Sequence, residues 1–221
     1  MLGQRANVGL LSERQQKYVE AISECSHQMA FMIDRLLDVP RIEAGNLDMT
    51  PICLEVREEI ERTIQNLQTR FQEKRINVLL DVPHSLRPVY ADQDRFTQII
   101  KILLTNACEY SHDEALVTVS ANETPGFVQI DVTDSGIGIP ESSQEKLFTR
   151  FFRGGDTVSQ TGSGAGLGLF IAKHLLEAQG GEIWACSEEG VGSTFSITLP
   201  CADSENFKSI TPIEPATATM V

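Results

Sequence analysis

The chain has 221 residues, of which 41% are hydrophobic and 22% are charged, and these fractions are ordinary for a soluble globular protein of one or two domains. The formal net charge of −13 argues against nucleic acid as a partner, because polyanions are bound by basic surfaces. An anionic ligand would therefore have to be held by local Arg or Lys side chains, by backbone amides or by a metal ion.

The five cysteines are scattered and form neither a CxxC pair nor a zinc-binding pattern, which predicts reduced thiols in a cytoplasmic protein. The sequence shows no signal peptide and no apolar run of about 18 residues, so no membrane span is predicted within it. A longer parent protein could still be anchored in a membrane.

The first predicted element is one long helix over residues 12–39. Ser12 and Gln15 form a capping box at its start, and Pro40 and Gly45 are expected to end it and to begin a linker. Apolar residues recur at alternating spacings of four and three, the pattern of a helix packed along a partner helix. This seam consists of Tyr18, Ile22, Cys25, Met29, Met32, Leu36 and Val39.

From Pro51 onward, alternating strands and helices predict an α+β fold, a two-layer sandwich with a mixed sheet and helices on one face. Strands are predicted at ICLEV, INVLLDV and in two antiparallel pairs, ALVTVSA with FVQIDVTD and EIWACSE with GSTFSITLP. Helices are predicted at REEIERTIQNLQTRFQEKR, DQDRFTQIIKILLTNACEYS, SQEKLF and LGLFIAKHLLEAQGG. The predicted domains are residues 1–45 (helix and linker), 46–200 (the sandwich) and 201–221 (a disordered tail).

The stretch TGSGAGLGLFIAK, residues 161–173, is rich in glycine directly before a predicted helix. Gly is less favourable than Ala within a helix by about 1 kcal/mol, so the cluster suggests close approach of backbone amides to a phosphate. The dinucleotide fingerprint GxGxxG fails in every register, and a polar loop rather than a strand precedes it. No GK[ST] follows a glycine-rich loop, which excludes a Walker A site.

Other motifs make the glycine stretch specific. DSGIGIP, NACEYS, LFTRFFRG and EGVGSTF accompany GAGLGLFIAK, and together they resemble the ATP-binding catalytic domain of sensor histidine kinases, a member of the GHKL ATPase superfamily with the Bergerat-type fold. The resemblance covers residues 12–200. LLDVPRIEAG is similar to the end of the second helix of the family's dimerisation and phosphotransfer hairpin, so the domain 1–45 is expected to be part of that hairpin.

The resemblance implies an adenine site around DSGIGIP. Asp134 would accept a hydrogen bond from the adenine amino group, with Gly136, Gly138 and Ile139 beside the base. Thr194 would support this bond through water, although it is also an ordinary strand residue. Without its neighbours, Asp134 would equally suit an Asx turn.

The resemblance also implies a metal and phosphate site. Asn106 would bind Mg²⁺ through its side-chain oxygen, and Tyr110, one turn later, would stack on the nucleotide or pack in the core. Arg150 and Arg153 would reach the phosphates from a mobile lid, residues 149–165, so that Asn106 and Arg153 are the expected catalytic residues. Backbone amides at the start of the last helix would contact the phosphates, at Gly164, Gly166, Leu167 and Gly168.

Two positions depart from the family pattern. Ile102 stands where most relatives have Asn, and Glu109 stands where a phosphate-binding Lys is common. The family's phosphoacceptor histidine motif is also missing, since SHQMAFM falls in the second helix and His27 lacks an acidic neighbour. Any acceptor histidine is therefore expected outside this chain.

The resemblance implies a kinase core that binds Mg·ATP and donates the γ-phosphate to that histidine, for relay to the receiver domain of a response regulator. The parent protein would be a homodimer through the N-terminal helix. The alternative is a degenerate nucleotide-binding or partner-docking module without transfer, which Ile102 and Glu109 favour. An ATPase of the mismatch-repair or gyrase type would need a further domain to supply a lysine, and the long RIEAG helix argues against an anti-sigma-factor kinase.

Overall fold

The computed structural model describes residues 47–152 and 166–202 throughout and, before them, residues 12, 14–16, 18–19, 22, 40 and 42. The chain divides into two units, Met1–Ala44 and Gly45–Val221. Several predictions fall on residues outside this description. These are five of the seven seam residues, Gly45, Arg153, Gly164 and residues 203–221 of the predicted tail.

In the first unit the predicted capping box is confirmed. The Ser12 amide donates to Gln15 Oε1 at 2.9 Å, and the Gln15 amide donates to Ser12 Oγ at 3.4 Å. Pro40 and Ile42 are both helical, so the prediction that Pro40 ends the helical conformation is wrong. The fixed φ of proline, near −65°, is itself a helical value.

The second unit contains two sheets. The strands are β1 (Ile52–Leu54), β2 (Asn77–Asp81), β3 (Val89–Ala91), β4 (Leu116–Thr124), β5 (Phe127–Asp134), β6 (Glu182–Glu188) and β7 (Gly192–Pro200). A small antiparallel sheet pairs β1 with β3, and a five-stranded sheet has the order β2-β4-β5-β7-β6. β2 is parallel to β4 and the other neighbours are antiparallel, so the predicted mixed sheet is confirmed.

The helices of this unit pack on one face of the larger sheet. They are α1 (Val56–Asn66), α2 (Gln68–Glu73), α3 (Gln93–Tyr110), α4 (Glu141–Gln144) and α5 (Gly168–Glu177). The helix predicted at REEIERTIQNLQTRFQEKR is two helices, α1 and α2, separated at Leu67. The helix predicted at SQEKLF lies earlier in the structure, so that it shares only Ser143 and Gln144 with α4. α3 packs against α1, α5 and β5.

The core lies between α3, α5 and the inner face of the sheet. Every second residue of the central strands is buried, as the alternating sequence pattern requires. Each fully buried Ile or Leu favours folding by about 1.5–3 kcal/mol. The fully buried set includes Ile99, Leu103 and Leu104 from α3, Ile171 and Leu175 from α5, and Val119, Ile130 and Ile197 from the sheet.

Candidate functional site

Asp134 is a buried acid at the end of the central strand β5. The strand alternation that buries Val128, Ile130 and Val132 also turns Asp134 inward, toward the helices, and leaves it 6% exposed. Burial raises the pKa of this carboxyl above its ordinary value, while the backbone amides of Gly136 and Ser193 work to lower it. A carboxylate accepts about four hydrogen bonds, so two amides leave capacity for a donor on a ligand.

Glycines let the backbone close around this acid. The Gly136 amide donates to Asp134 Oδ1 at 2.9 Å, and a Cβ on Gly136 would lie 2.3 Å from the carbonyl oxygen of Tyr110. Gly138 has φ +66°, and its Cβ would lie 1.9 Å from the Glu188 carbonyl oxygen. A side chain at Gly136 would therefore push this segment away from the end of α3, and one at Gly138 would push it away from the β6–β7 hairpin.

The end of α3 contacts the DSGIGIP segment through the backbone. The Tyr110 carbonyl oxygen accepts from the Ile137 amide at 3.1 Å, and Ser111 forms a bridge with Gly136. Both Tyr110 and Asn106, one turn before it, are half-buried. Within the described residues, no hydrogen bond engages the Asn106 side chain, which leaves its amide oxygen open to a ligand.

The two departures occupy different environments on α3. Ile102 is fully buried, so this residue belongs to the core rather than to a polar site. Glu109 is half-buried on the last turn of the helix, three residues after Asn106. An acid therefore stands close to Asn106 in the sequence, at the position where the resemblance implies a cation.

The structure does not bring Thr194 to Asp134. Thr194 pairs with Thr133 across the strands, and their hydroxyls lie 3.0 Å apart on the exposed face of the sheet. Its neighbour Ser193 is buried and pairs with Asp134. The apolar residues Phe195, Ile197 and Leu199 give the signal, because a period of two places Ser193, not Thr194, on their face.

Ile139 lies beside the β6–β7 hairpin. Its amide donates to Ser187 Oγ at 2.8 Å, and its carbonyl oxygen accepts from Gln144 at 3.0 Å. It borders a cavity of about 400 Å³ together with Gln144, Ser187 and three acids, Glu141, Glu188 and Glu189. These acids would repel phosphate, so this cavity does not suit the triphosphate of the predicted ligand.

The start of α5 forms the other end of the site. Gly166 has φ +67°, and Leu167 precedes the helix without a side-chain hydrogen bond to its first amides. Gly168 and Leu167 are buried. The Arg150 guanidinium lies 4.7 Å from the centre of the Phe170 ring, which places this cation at the first turn of α5. Arg153 and Gly164 lie outside the described residues.

Magnesium fits the described residues through few protein ligands. Among those residues, no group of three or more His, Cys, Asp or Glu side chains is arranged to hold a metal ion. Mg²⁺ commonly takes one or two protein oxygens and completes its shell with water and phosphate oxygens. The amide oxygen of Asn106 suits that mode of binding.

In the described part of the chain, no helix is both long enough and apolar enough to span a bilayer.

Residues 91–203, slightly more than half of the chain, match the family of histidine kinase-, DNA gyrase B- and HSP90-like ATPases.

Similar proteins include the adaptive-response sensory kinase SasA of Gloeothece citriformis, 35% identical over 161 residues that cover 72% of this chain and 39% of the relative. The circadian input-output histidine kinase CikA of Synechococcus elongatus is 32% identical over 209 residues, which cover 94% of this chain and 27% of the relative. This chain thus spans less than half the length of either relative.

The fold is also similar to that of a solved structure, full-length ShkA in complex with AMPPNP. The TM-score is 0.74 at 25% sequence identity, over 89% of this chain and 41% of that chain. Residues 91–203, which match the family, include β5, both strands of the β6–β7 hairpin and the helices α3, α4 and α5. The chain therefore belongs to the family of histidine kinase-, DNA gyrase B- and HSP90-like ATPases.

Proposed function

We propose that this chain is the ATP-binding catalytic part of a sensor histidine kinase, which donates the γ-phosphate of Mg·ATP to a histidine outside the chain. The observation that carries the proposal is the buried Asp134 carboxyl, enclosed by backbone that a Cβ at Gly136 or Gly138 would displace. A relative named as a sensory kinase, another named as a histidine kinase, and the ShkA complex with AMPPNP support the same function.

The Asp134 carboxylate would accept a hydrogen bond from the adenine amino group. Guanine presents an oxygen at the corresponding position, and two acceptors repel each other, so the acid would favour ATP over GTP. Gly136 and Gly138 let the backbone close around this carboxylate, since a Cβ at either position would collide with a backbone carbonyl oxygen. We assign the water-mediated support of this bond to Ser193 rather than to Thr194, because only Ser193 shares the inner face with Asp134.

Asn106 would hold Mg²⁺, which neutralises charge on the phosphates as the γ-phosphoryl group leaves. The first amides of α5 would bind phosphate oxygens, since the first turn of a helix has amides without intrahelical partners and the positive end of its dipole. Arg150 and Arg153 would add guanidinium donors from the segment before α5. Phosphoryl transfer of this kind depends mainly on positioning and charge neutralisation.

The phosphate would pass from the external histidine to the receiver domain of a response regulator, and the parent protein would be a homodimer through its N-terminal helix. Cys53, Cys108, Cys186 and Cys201 form no disulfide among the described residues, which is in keeping with a reducing, cytoplasmic location for this part of the protein.

A degenerate nucleotide-binding module without transfer is the second candidate. It is favoured by Glu109, since an acid beside the phosphates would weaken their binding, and by the buried Ile102, which has no oxygen to offer a metal. Adding a separately purified phosphotransfer helix with its histidine, and then measuring label from [γ-³²P]ATP on it, distinguishes the two functions.

Calorimetry with ATP and Mg²⁺ tests the site itself. Asp134→Asn removes the charge of the acceptor and should weaken ATP binding about 10- to 100-fold, the value of one charged hydrogen bond. Asn106→Ala should remove the dependence of affinity on Mg²⁺. Asp131→Asn is the matched control, because Asp131 lies on the opposite face of the same strand and contacts Gln129. Wild-type affinity in Asp134→Asn would contradict the adenine assignment.

A further inference from the structure

The last turn of α3 is held by the ammonium group of Lys74, the residue that directly follows α2. Lys74 Nζ donates to the carbonyl oxygens of Cys108 and Glu109 at 2.9 Å and to that of Ser111 at 3.1 Å. An ammonium has three N–H groups, so all of them are used. The C-terminal carbonyls of a helix lack intrahelical partners and carry partial negative charge, which a cation stabilises.

The backbone of Lys74 is fixed to the same region. Lys74 follows α2 directly, and its carbonyl oxygen accepts from the Glu114 amide at 2.9 Å. Ile76, two residues later, is buried. Side chain and backbone together therefore tie the end of α2 to the connection between α3 and β4.

The remaining carbonyl at the end of α3 is the one that contacts the nucleotide site. The Tyr110 oxygen accepts from the Ile137 amide, and the adjacent Gly136 amide orients Asp134 Oδ1. The contact between Tyr110 and Gly136 is backbone against backbone, without a flexible side chain between them. A displacement of the end of α3 must therefore displace the segment that orients the acid.

We infer that Lys74, which lies outside the site, is a positioning residue for it: its hold on the last carbonyls of α3 fixes where Asp134 meets adenine. The inference rests on the proposed function. Asn106 lies on the last turns of the same helix, so its position relative to the phosphates depends on the same contact. The residue acts through α3 and does not touch the nucleotide.

Calorimetry with adenosine tests this inference, at a temperature where circular dichroism shows each variant to be folded. Lys74→Met should weaken adenosine binding about tenfold or more, because it removes the charged donor to three carbonyls. Lys74→Arg retains charge and donors and should restore much of the affinity. Arg75→Met is the matched control, since the neighbouring Arg75 lies on the surface, where its guanidinium forms ion pairs with the exposed Asp113 and Glu114.

Hydrogen exchange supplies a readout that global stability alone would not move. In the ligand-free chain the Ile137 amide should exchange faster in Lys74→Met than in Arg75→Met, relative to core amides of β5. If Lys74→Met does not fold, Lys74→Gln, which retains a neutral donor, replaces it with the same expectation.

Wild-type adenosine affinity in a folded Lys74→Met or Lys74→Gln variant would overturn the inference and leave Lys74 with a purely structural role. Equal weakening in Arg75→Met would also overturn it, because net charge rather than position would then be responsible. Absence of binding in both the wild type and Arg75→Met would overturn the proposed function, and the inference with it.

Discussion

The two ends of the candidate site are built in different ways. At the adenine end, three segments meet backbone to backbone: the Ile137 amide bonds to Tyr110, and the Ile137 carbonyl oxygen accepts from Gly190 at 2.8 Å. At the phosphate end, α5 begins without a side-chain cap, and the cation Arg150 lies on the Phe170 ring. The proposed adenine end is therefore already held together by the protein's own backbone, whereas at the proposed phosphate end the first amides of α5 have no side-chain cap.

Glycine substitutions should produce the largest difference between the two ends. Gly138→Ala places a Cβ 1.9 Å from the Glu188 carbonyl oxygen at φ +66°, and should destabilise the fold by about 2–5 kcal/mol through strain and overpacking. Gly166→Ala, with contacts at 2.8 Å, should cost less. Urea denaturation gives the free energies of unfolding.

Gly190→Ala is the control for that series. Gly190 has φ +81° but no atom within 4 Å of a Cβ, so only backbone strain remains, about 1–2 kcal/mol. Equal losses of unfolding free energy in Gly138→Ala and Gly190→Ala would show that the close contact between Gly138 and Glu188 adds nothing to the destabilisation.

Acidification should weaken the adenine end selectively. Burial raises the pKa of Asp134 above its ordinary value of 3.8, against the opposing amides of Gly136 and Ser193. Adenine requires the ionised acceptor, so adenosine affinity should be retained above the raised pKa and fall as pH drops through it, by up to about tenfold per pH unit. Calorimetry at a series of pH values measures this loss of affinity. The affinity of Asp134→Asn for adenosine should not show this fall with pH, because asparagine does not titrate. A midpoint at or below 3.8 would contradict the effect of burial.

A smaller effect should separate the two neighbouring hydroxyls of β7. Ser193→Ala removes a buried hydroxyl 2.9 Å from Ser187 Oγ, on the face of Asp134, and should weaken adenosine binding about fivefold, the value of one neutral hydrogen bond. Thr194 lies on the exposed face of the sheet, so Thr194→Val should leave the affinity for adenosine unchanged. The reverse result would return the water-supporting role to Thr194.

The smallest expected effect lies at the phosphate end. Arg150→Met removes an exposed cation that lies over the buried Phe170 ring, a contact worth about 0.5–1 kcal/mol. If that guanidinium also reaches the phosphates, AMPPNP binding should weaken several-fold more than adenosine binding. Lys173→Met is the control, since Lys173 pairs with Glu177 on the same helix at 3.8 Å. Equal changes for the two ligands would exclude a phosphate contact by Arg150.

The regular parts of the fold could be predicted because their sequence periods are long and strict. The alternation in β4 and β5 identified these strands and their buried faces. The break at Leu67 was missed because α1 and α2 have the same polar amphipathic character on either side of it. β3 was missed because three residues, Val89–Ala91, are too few to show a period.

The site could be predicted in part for similar reasons. Asp134 and its glycines form a local motif that the sequence shows directly. The alternation of apolar residues in β7 also carries the information that Ser193, rather than Thr194, lies on the face of Asp134. Lys74 could not be found, because a contact between one ammonium and three carbonyls 34–37 residues away leaves no local pattern.

The residues after β7 limit how far the second unit can be truncated at its C-terminal end. Cys201 forms a bridge with Val89, and the Ala202 amide donates to the Pro88 carbonyl oxygen at 2.9 Å. A polypeptide truncated after Ala202 would keep the far edge of β3 covered, whereas one truncated after Leu199 would open the wholly buried Val89 to water. Crystallisation and nuclear magnetic resonance samples should therefore be terminated no earlier than residue 202.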